Sequence, residues 1–244
     1  MGTKKYKLTD DTIIIGNHKL HRIQALIDFS DVKCGDIGGY IESEKNLSQY
    51  GNCWVGDNAK VHGNAQVYDD AKVFGNVLVY DYAQVYGYAQ VFDNAEVYSF
   101  AEVYGNAGVY GYAQVYGDAM VCDDAVVHGC SLVFENALVY GFAKVGGNAK
   151  VFGNSEVRDY AKVNGYAEIY CNAVITDISD YIVFKNSWSS GRHFTWTKSN
   201  NMWKVGCFYG TGEELIKKAY QDSQNSGKNY ERYVKLVEEI KKEH

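Results

Sequence analysis

Eight carboxylates hold most of the chemistry this 244-residue sequence offers. Asp81, Asp93, Glu96, Glu102, Asp118, Asp123, Asp124 and Glu135 fall between Lys72 and Lys144, a window without a single Lys or Arg. Carboxylates gathered without counter-charges create a field of one sign, which draws in a basic partner. Solubility and the ease with which Asp takes up turn backbones explain part of this pattern. They do not explain the missing Lys and Arg. Tyr80, Tyr98 and Tyr116 are interleaved with the acids, and such flat amphipathic rings are common at protein interfaces. The remaining reactive groups are scattered. His62 and His128 have no sequence-encoded partner, the six cysteines form no CxxC pair, and no His/Cys/Asp run has metal-ligand spacing. The expectation is therefore no catalytic residue, no metal ligand and no cofactor.

A periodic array must position these groups. From Val55 an aliphatic residue recurs at every sixth position through Val163, followed by Ile169 and Ile175. Two residues before each stands Ala in most hexads, with Cys53, Val77, Ser131 and Ser155 as small substitutes. A six-residue period marks a parallel β-helix. In each hexad the Val points inward and the next residue outward, Gly, Asp or Asn turns the corner, and Ala tucks in beside it. Three hexads close a triangular coil, so the array makes about seven coils, roughly 34 Å long at ~4.8 Å per strand. Sorting the hexads by face stacks His62, Tyr80, Tyr98, Tyr116, Phe134, Phe152 and Tyr170 in one outer column. Stacked rings stabilise a sheet whether or not they bind anything.

The flanks read differently. Residues 1–50 are expected to form a β cap: strands at 5–9, 12–15 and 19–29 around a Gly16-Asn17 turn, with a small loop at 42–45 because Leu47 is out of phase. Residues 51–178 are the β-helix. Residues 179–244 are a small α+β module with strands at 181–185, 192–198 and 202–208. A capping box at Thr211–Glu214 opens a helix ended by Gly227, and a second helix runs from Lys228 towards Lys242. The fold class is mainly β. Charge is uneven: residues 51–178 carry −9 of the total −6, and the module carries +3. Proline is absent, as suits strands that need every amide donor. The first residues have no apolar core of a secretory signal, and no stretch approaches a membrane span. A cytoplasmic protein with reduced thiols is expected.

Three stretches carry a resemblance: Gly35–Ser48 ahead of the array, Ser190–Thr197, and Gly210–Leu215. With the Gly-Asn-Ala-x-Val-Tyr type array between them, the chain resembles hexapeptide-repeat proteins of phages and prophages of Gram-positive bacteria. Some proteins of this look are β-helical anti-CRISPR inhibitors of type II RNA-guided nucleases. The resemblance implies a left-handed helix and binding to the nuclease surface where it reads the DNA motif beside its target. That region presents basic residues to DNA. The implied partner is a protein with a basic nucleic-acid-binding groove, in a bacterial host cell; no direct nucleic-acid binding and no membrane contact are expected. Two alternatives stay open. One is a hexapeptide acyltransferase-like protein, although such enzymes usually extrude a loop and this array has none. The other is a structural protein whose aromatic column packs against copies of itself.

Overall fold

In the computed structural model, which describes residues 4–243, the hexads form a parallel β-solenoid. Strands β1 (Tyr6–Ile15), β2 (His18–Ala25) and β3 (Ile37–Ile41) precede it. The solenoid strands are two residues each, from β4 (Trp54–Val55), β5 (Lys60–Val61) and β6 (Gln66–Val67) to β24 (Val174–Ile175). Each pairs with the strand eighteen residues on, as Gln90 with Gly108 and Glu96 with Gln114. Three sheets result, begun by β4, by β5 and by β6, and these are the first, second and third faces below. The inward Val, Ile and Ala side chains are completely buried along the rod. Ser131 and Ser155 fit the same interior because their hydroxyls donate to the carbonyls of His128 and Phe152 at 2.8 and 2.9 Å. Every first corner residue from Asp57 to Cys171 has positive φ. That requirement is why Gly and Asp dominate there.

The solenoid starts earlier than the array. Ile41 pairs with Val61 and Leu47 with Val67, each twenty residues on. Ile41 and Leu47 are thus in phase with each other and form part of an eighth coil. The two extra residues lie between Leu47 and Val55, where Tyr50 bulges out and Gly51 takes φ +69°. The loop expected at 42–45 is therefore misplaced. Residues 42–47 keep the hexad length.

A parallel stack has a polarity that dictates its caps. Most of the N–H groups flanking the inward Val donate up the chain, as Tyr98 N to Val115 O at 3.0 Å, while others donate back, as Val67 N to Asn46 O at 2.9 Å. The first coil is therefore left chiefly with unpaired carbonyls and the last chiefly with unpaired amides. The N-terminal cap supplies donors. Lys5, 2% exposed, points its ammonium at the carbonyls of Tyr50, Gly51 and Cys53, and the Tyr6 hydroxyl donates to Leu47 O at 2.7 Å. Asn46 Nδ2 donates to the carbonyls of Gly63 and Ala65. The C-terminal module supplies acceptors, one per face: Asn164 N donates to Tyr181 Oη, Glu168 N to Thr195 Oγ1 and Val174 N to Ser199 Oγ.

That module is an antiparallel sheet of β25 (Tyr181–Lys185), β26 (His193–Thr197), β27 (Met202–Val205) and β28 (Phe208–Gly210). The third expected strand is in fact a hairpin, turned at Gly206 with φ +56°. Helices α1 (Gly212–Asp222) and α2 (Gln224–Glu243) pack Leu215, Ala219, Tyr230, Val234 and Val237 against Phe194, Trp196 and Trp203. The capping box forms: Glu214 N donates to Thr211 Oγ1, and Thr211 N to Glu214 Oε2. The break between helices is at Ser223, not Gly227. Gly227 lies inside α2, where a Cβ would sit 2.3 Å from the Tyr220 ring. It is a packing glycine, not a stop.

Candidate functional site

The eight carboxylates do not share a face. Asp93 lies on the corner after the first face, Asp81, Asp118 and Glu135 on the corner after the second, and Asp123 and Asp124 on the corner after the third. Glu96 stands on the second face and Glu102 on the third. They surround the rod as an acidic collar. Several also serve the rod itself. Asp81, Asp93, Asp123 and Glu135 accept from the backbone N–H of Ser99, Gly111, Gly141 and Gly153, eighteen residues on, at 2.8–3.3 Å. Glu102 accepts from the Tyr86 hydroxyl, Asp124 from Asn106 and Glu96 from Gln114. Among the described contacts Asp118 has no side-chain partner. Asp118 is the acid with the least structural work, and it borders the second face, on which Glu96 stands with a single bond from Gln114.

Tyr80, Tyr98 and Tyr116 stack as expected, with centroids 4.9 and 4.8 Å apart and planes within 4°. The column is longer than the array suggests. It begins with His18 over His62 and runs through Tyr170 to Tyr209 of the C-terminal module. Lys204 lies over the Phe152 and Tyr170 rings. The column therefore joins both caps to the rod. Burial, followed by the nearby Glu96 charge, pushes the Tyr80 hydroxyl up to about 12. Burial raises Tyr98 and Tyr116 in the same direction. These phenols stay neutral hydrogen-bonding groups at ordinary pH.

One constellation was not foreseen from the sequence. His18, Glu42 and His62 each bring a donor atom within 4.8 Å of the other two. His18 opens β2 after the Gly16-Asn17 turn, Glu42 follows β3 and His62 follows β5. The Ile41–Val61 pairing sets Glu42 beside His62 on the second face, and the hairpin lays His18 over them with its ring centroid 4.7 Å from that of His62. His18 Nδ1 lies 3.0 Å from both Glu42 oxygens, and Gly63 N–H donates to Glu42 Oε2 at 2.8 Å. His62 is 9% exposed, and its Nδ1 is buried with no hydrogen-bond partner. Burial holds its imidazole below the ordinary value, the neighbouring His18 acts the same way, and Glu42 and Asp81 oppose them. The His18 hydrogen bond holds Glu42 below the usual carboxylate range. The signal was present in the sequence: Tyr40-Ile41-Glu42 reads in register with Lys60-Val61-His62 once a two-residue insertion is allowed after Leu47.

His128 sits apart, stacked on Tyr110 on the first face. The six cysteines are free thiols, with Cys53 buried and Cys34, Cys130 and Cys207 exposed. An open groove of about 530 Å³ lies at the N-terminal end of the first face, lined by Asp31, Trp54, Asp57, Lys72 and Phe74 among others. Asp31 and Lys72 form an ion pair across it. Among the described residues, no helix is long and apolar enough to cross a membrane.

A family model described as the YdcK β-solenoid repeat matches residues 113–129. A curated relative, the uncharacterised acetyltransferase YdcK of Escherichia coli K12, is 37% identical over 62 residues, covering 22% of this chain and 19% of that protein. The chain thus spans about a fifth of the length of the curated relative it matches. Both findings agree with the solenoid architecture.

Proposed function

We propose that this chain is a non-enzymatic binding protein whose acidic solenoid fills a basic groove made for nucleic acid on another protein. The observation that supports this reading is the collar itself: from Val73 to Ala143 no Lys or Arg interrupts any of the three faces. A rod carrying carboxylates at phosphate-like density suits a groove lined with Arg and Lys. The finer reading follows the resemblance of the flanking motifs. The chain is a phage-derived inhibitor acting in the cytoplasm of a bacterial host, and its partner is an RNA-guided nuclease whose basic DNA-motif site it occupies. The second face is the binding face in this reading, because Glu96 and Asp118 lie beside the stacked Tyr80, Tyr98 and Tyr116 there and Asp118 has no side-chain partner among the described contacts.

The test is charge reversal that spares the fold. Glu96→Lys with Asp118→Lys is expected to keep the wild-type Tm and to weaken binding to a type II RNA-guided nuclease at least ~10-fold, as lost charge complementarity costs at close quarters. Wild-type binding should also weaken as salt rises. Unchanged inhibition of DNA cleavage by the double variant would overturn the electrostatic reading.

A second reading, acetyl transfer, is favoured by the similarity to a protein named as an acetyltransferase. It is weighed against by an array with no extruded loop and by a His62 held inside an aromatic stack. Calorimetry with acetyl-CoA separates the two: saturable binding supports the transferase, and its absence together with nuclease inhibition supports the inhibitor.

A further inference from the structure

We propose that His18, Glu42 and His62 form a divalent transition-metal site, with Zn²⁺ as its natural occupant, that staples the N-terminal hairpin to the solenoid. Two imidazoles and one carboxylate are a well-matched set for tetrahedral zinc, leaving the fourth position to water. Hard cations such as Mg²⁺ and Ca²⁺ prefer all-oxygen sites and are poorly served by two ring nitrogens. Three observations support the site. The donor atoms already lie within 4.8 Å of one another. Tetrahedral bonds of about 2.0–2.1 Å would hold donors roughly 3.3 Å apart, so the cluster needs only a small contraction. The Nδ1 of the nine-tenths buried His62 has no hydrogen-bond partner, which is a cost unless something occupies it. Finally, the second shell is in place. Gly63 N–H donates to Glu42 Oε2 and Tyr80 stacks flat on the His62 ring at 5.4 Å, fixing the carboxylate and the imidazole.

The placement gives the site its purpose. His18 belongs to the hairpin, Glu42 to the incomplete first coil and His62 to the first full coil. One ion would bind three successive layers at the end where the stack begins. Because the three ligands are 24 and 20 residues apart in sequence, the unfolded chain does not preform the site, and metal affinity becomes folding stability. The site lies outside the acidic collar and does not depend on how the collar is used.

Full-length, tag-free protein titrated with ZnCl₂ is expected to bind one ion per chain by calorimetry. At ~100-fold excess over Kd the melting temperature should rise, by on the order of 5 °C. Co²⁺ should give the visible absorption of a tetrahedral nitrogen–oxygen site. Glu42→Gln, His18→Ala and His62→Phe, the last keeping a ring in the stack, should each weaken binding at least ~10-fold while the metal-free Tm stays near wild type. Failure of the wild-type protein to bind one ion would overturn the proposal. So would undiminished binding by the three variants.

Discussion

Glu135 shows how much a single corner residue carries. Its backbone stands at φ +58°, where a long side chain is strained, and its carboxylate accepts from Gly153 N–H at 2.8 Å. The two effects oppose each other, and substitution separates them. Glu135→Ala keeps the strain and loses the hydrogen bond, which is worth ~1–3 kcal/mol for a charged acceptor. Glu135→Gly also loses the bond but relieves the backbone by ~1 kcal/mol or more. The glycine variant should therefore melt above the alanine variant in thermal denaturation. The same reasoning explains why Asp alternates with Gly along the corners: Gly makes the turn cheaply, and Asp makes it tolerably while capping the next coil. A corner Asp is thus no evidence of a partner by itself. Asp118 is better evidence, since it follows the positive-φ Gly117 rather than making the turn itself and has no side-chain partner among the described contacts.

The aromatic column links titration to the integrity of the stack. Tyr80, Tyr98 and Tyr116 are raised chiefly by burial, Tyr80 to about 12. In the unfolded chain these phenols ionise near their ordinary value of about 10. A folded value above the unfolded one means that the neutral ring stabilises the fold fully below pH 10. That contribution is lost as pH rises towards 12. Tyrosinate absorbance followed against pH should show these rings ionising late and together with loss of the β circular-dichroism signal. Independent ionisation of the column near pH 10 would mean that its rings are not packed as described.

For the whole molecule, the coil is the unit of both stability and register. Successive coils repeat the same buried Ala and Val layers, so energy accrues as near-neighbour contributions along one dimension. Deletion of residues 95–112 removes one coil and rejoins Asn94 to Ala113, leaving every hexad in phase. That shortened rod should fold and melt cooperatively. Deletion of Glu102 alone reverses the in–out alternation of its strand and should abolish the cooperative melt. The caps do not take part in this repetition. One end needs donors and receives Lys5, Tyr6 and Asn46; the other needs acceptors and receives Tyr181, Thr195 and Ser199.

The six-residue period of Val55 to Ile175 was legible without coordinates, because a small buried side chain is needed at the same place in every hexad whatever its surroundings. The faces, the Tyr80–Tyr98–Tyr116 stack and the capping box at Thr211 followed from local spacing and turn chemistry. Three features depended on long-range pairing. The two-residue insertion after Leu47 was assigned to 42–45 because phase alone reports that residues are extra, not where they leave the coil. The third strand of the module divided at Gly206, since its hairpin is fixed by packing on Trp203 and the helices rather than by the strand pattern itself. The meeting of His18, Glu42 and His62 required an antiparallel hairpin to be laid over a parallel stack, a contact between two periodicities that no single spacing rule contains.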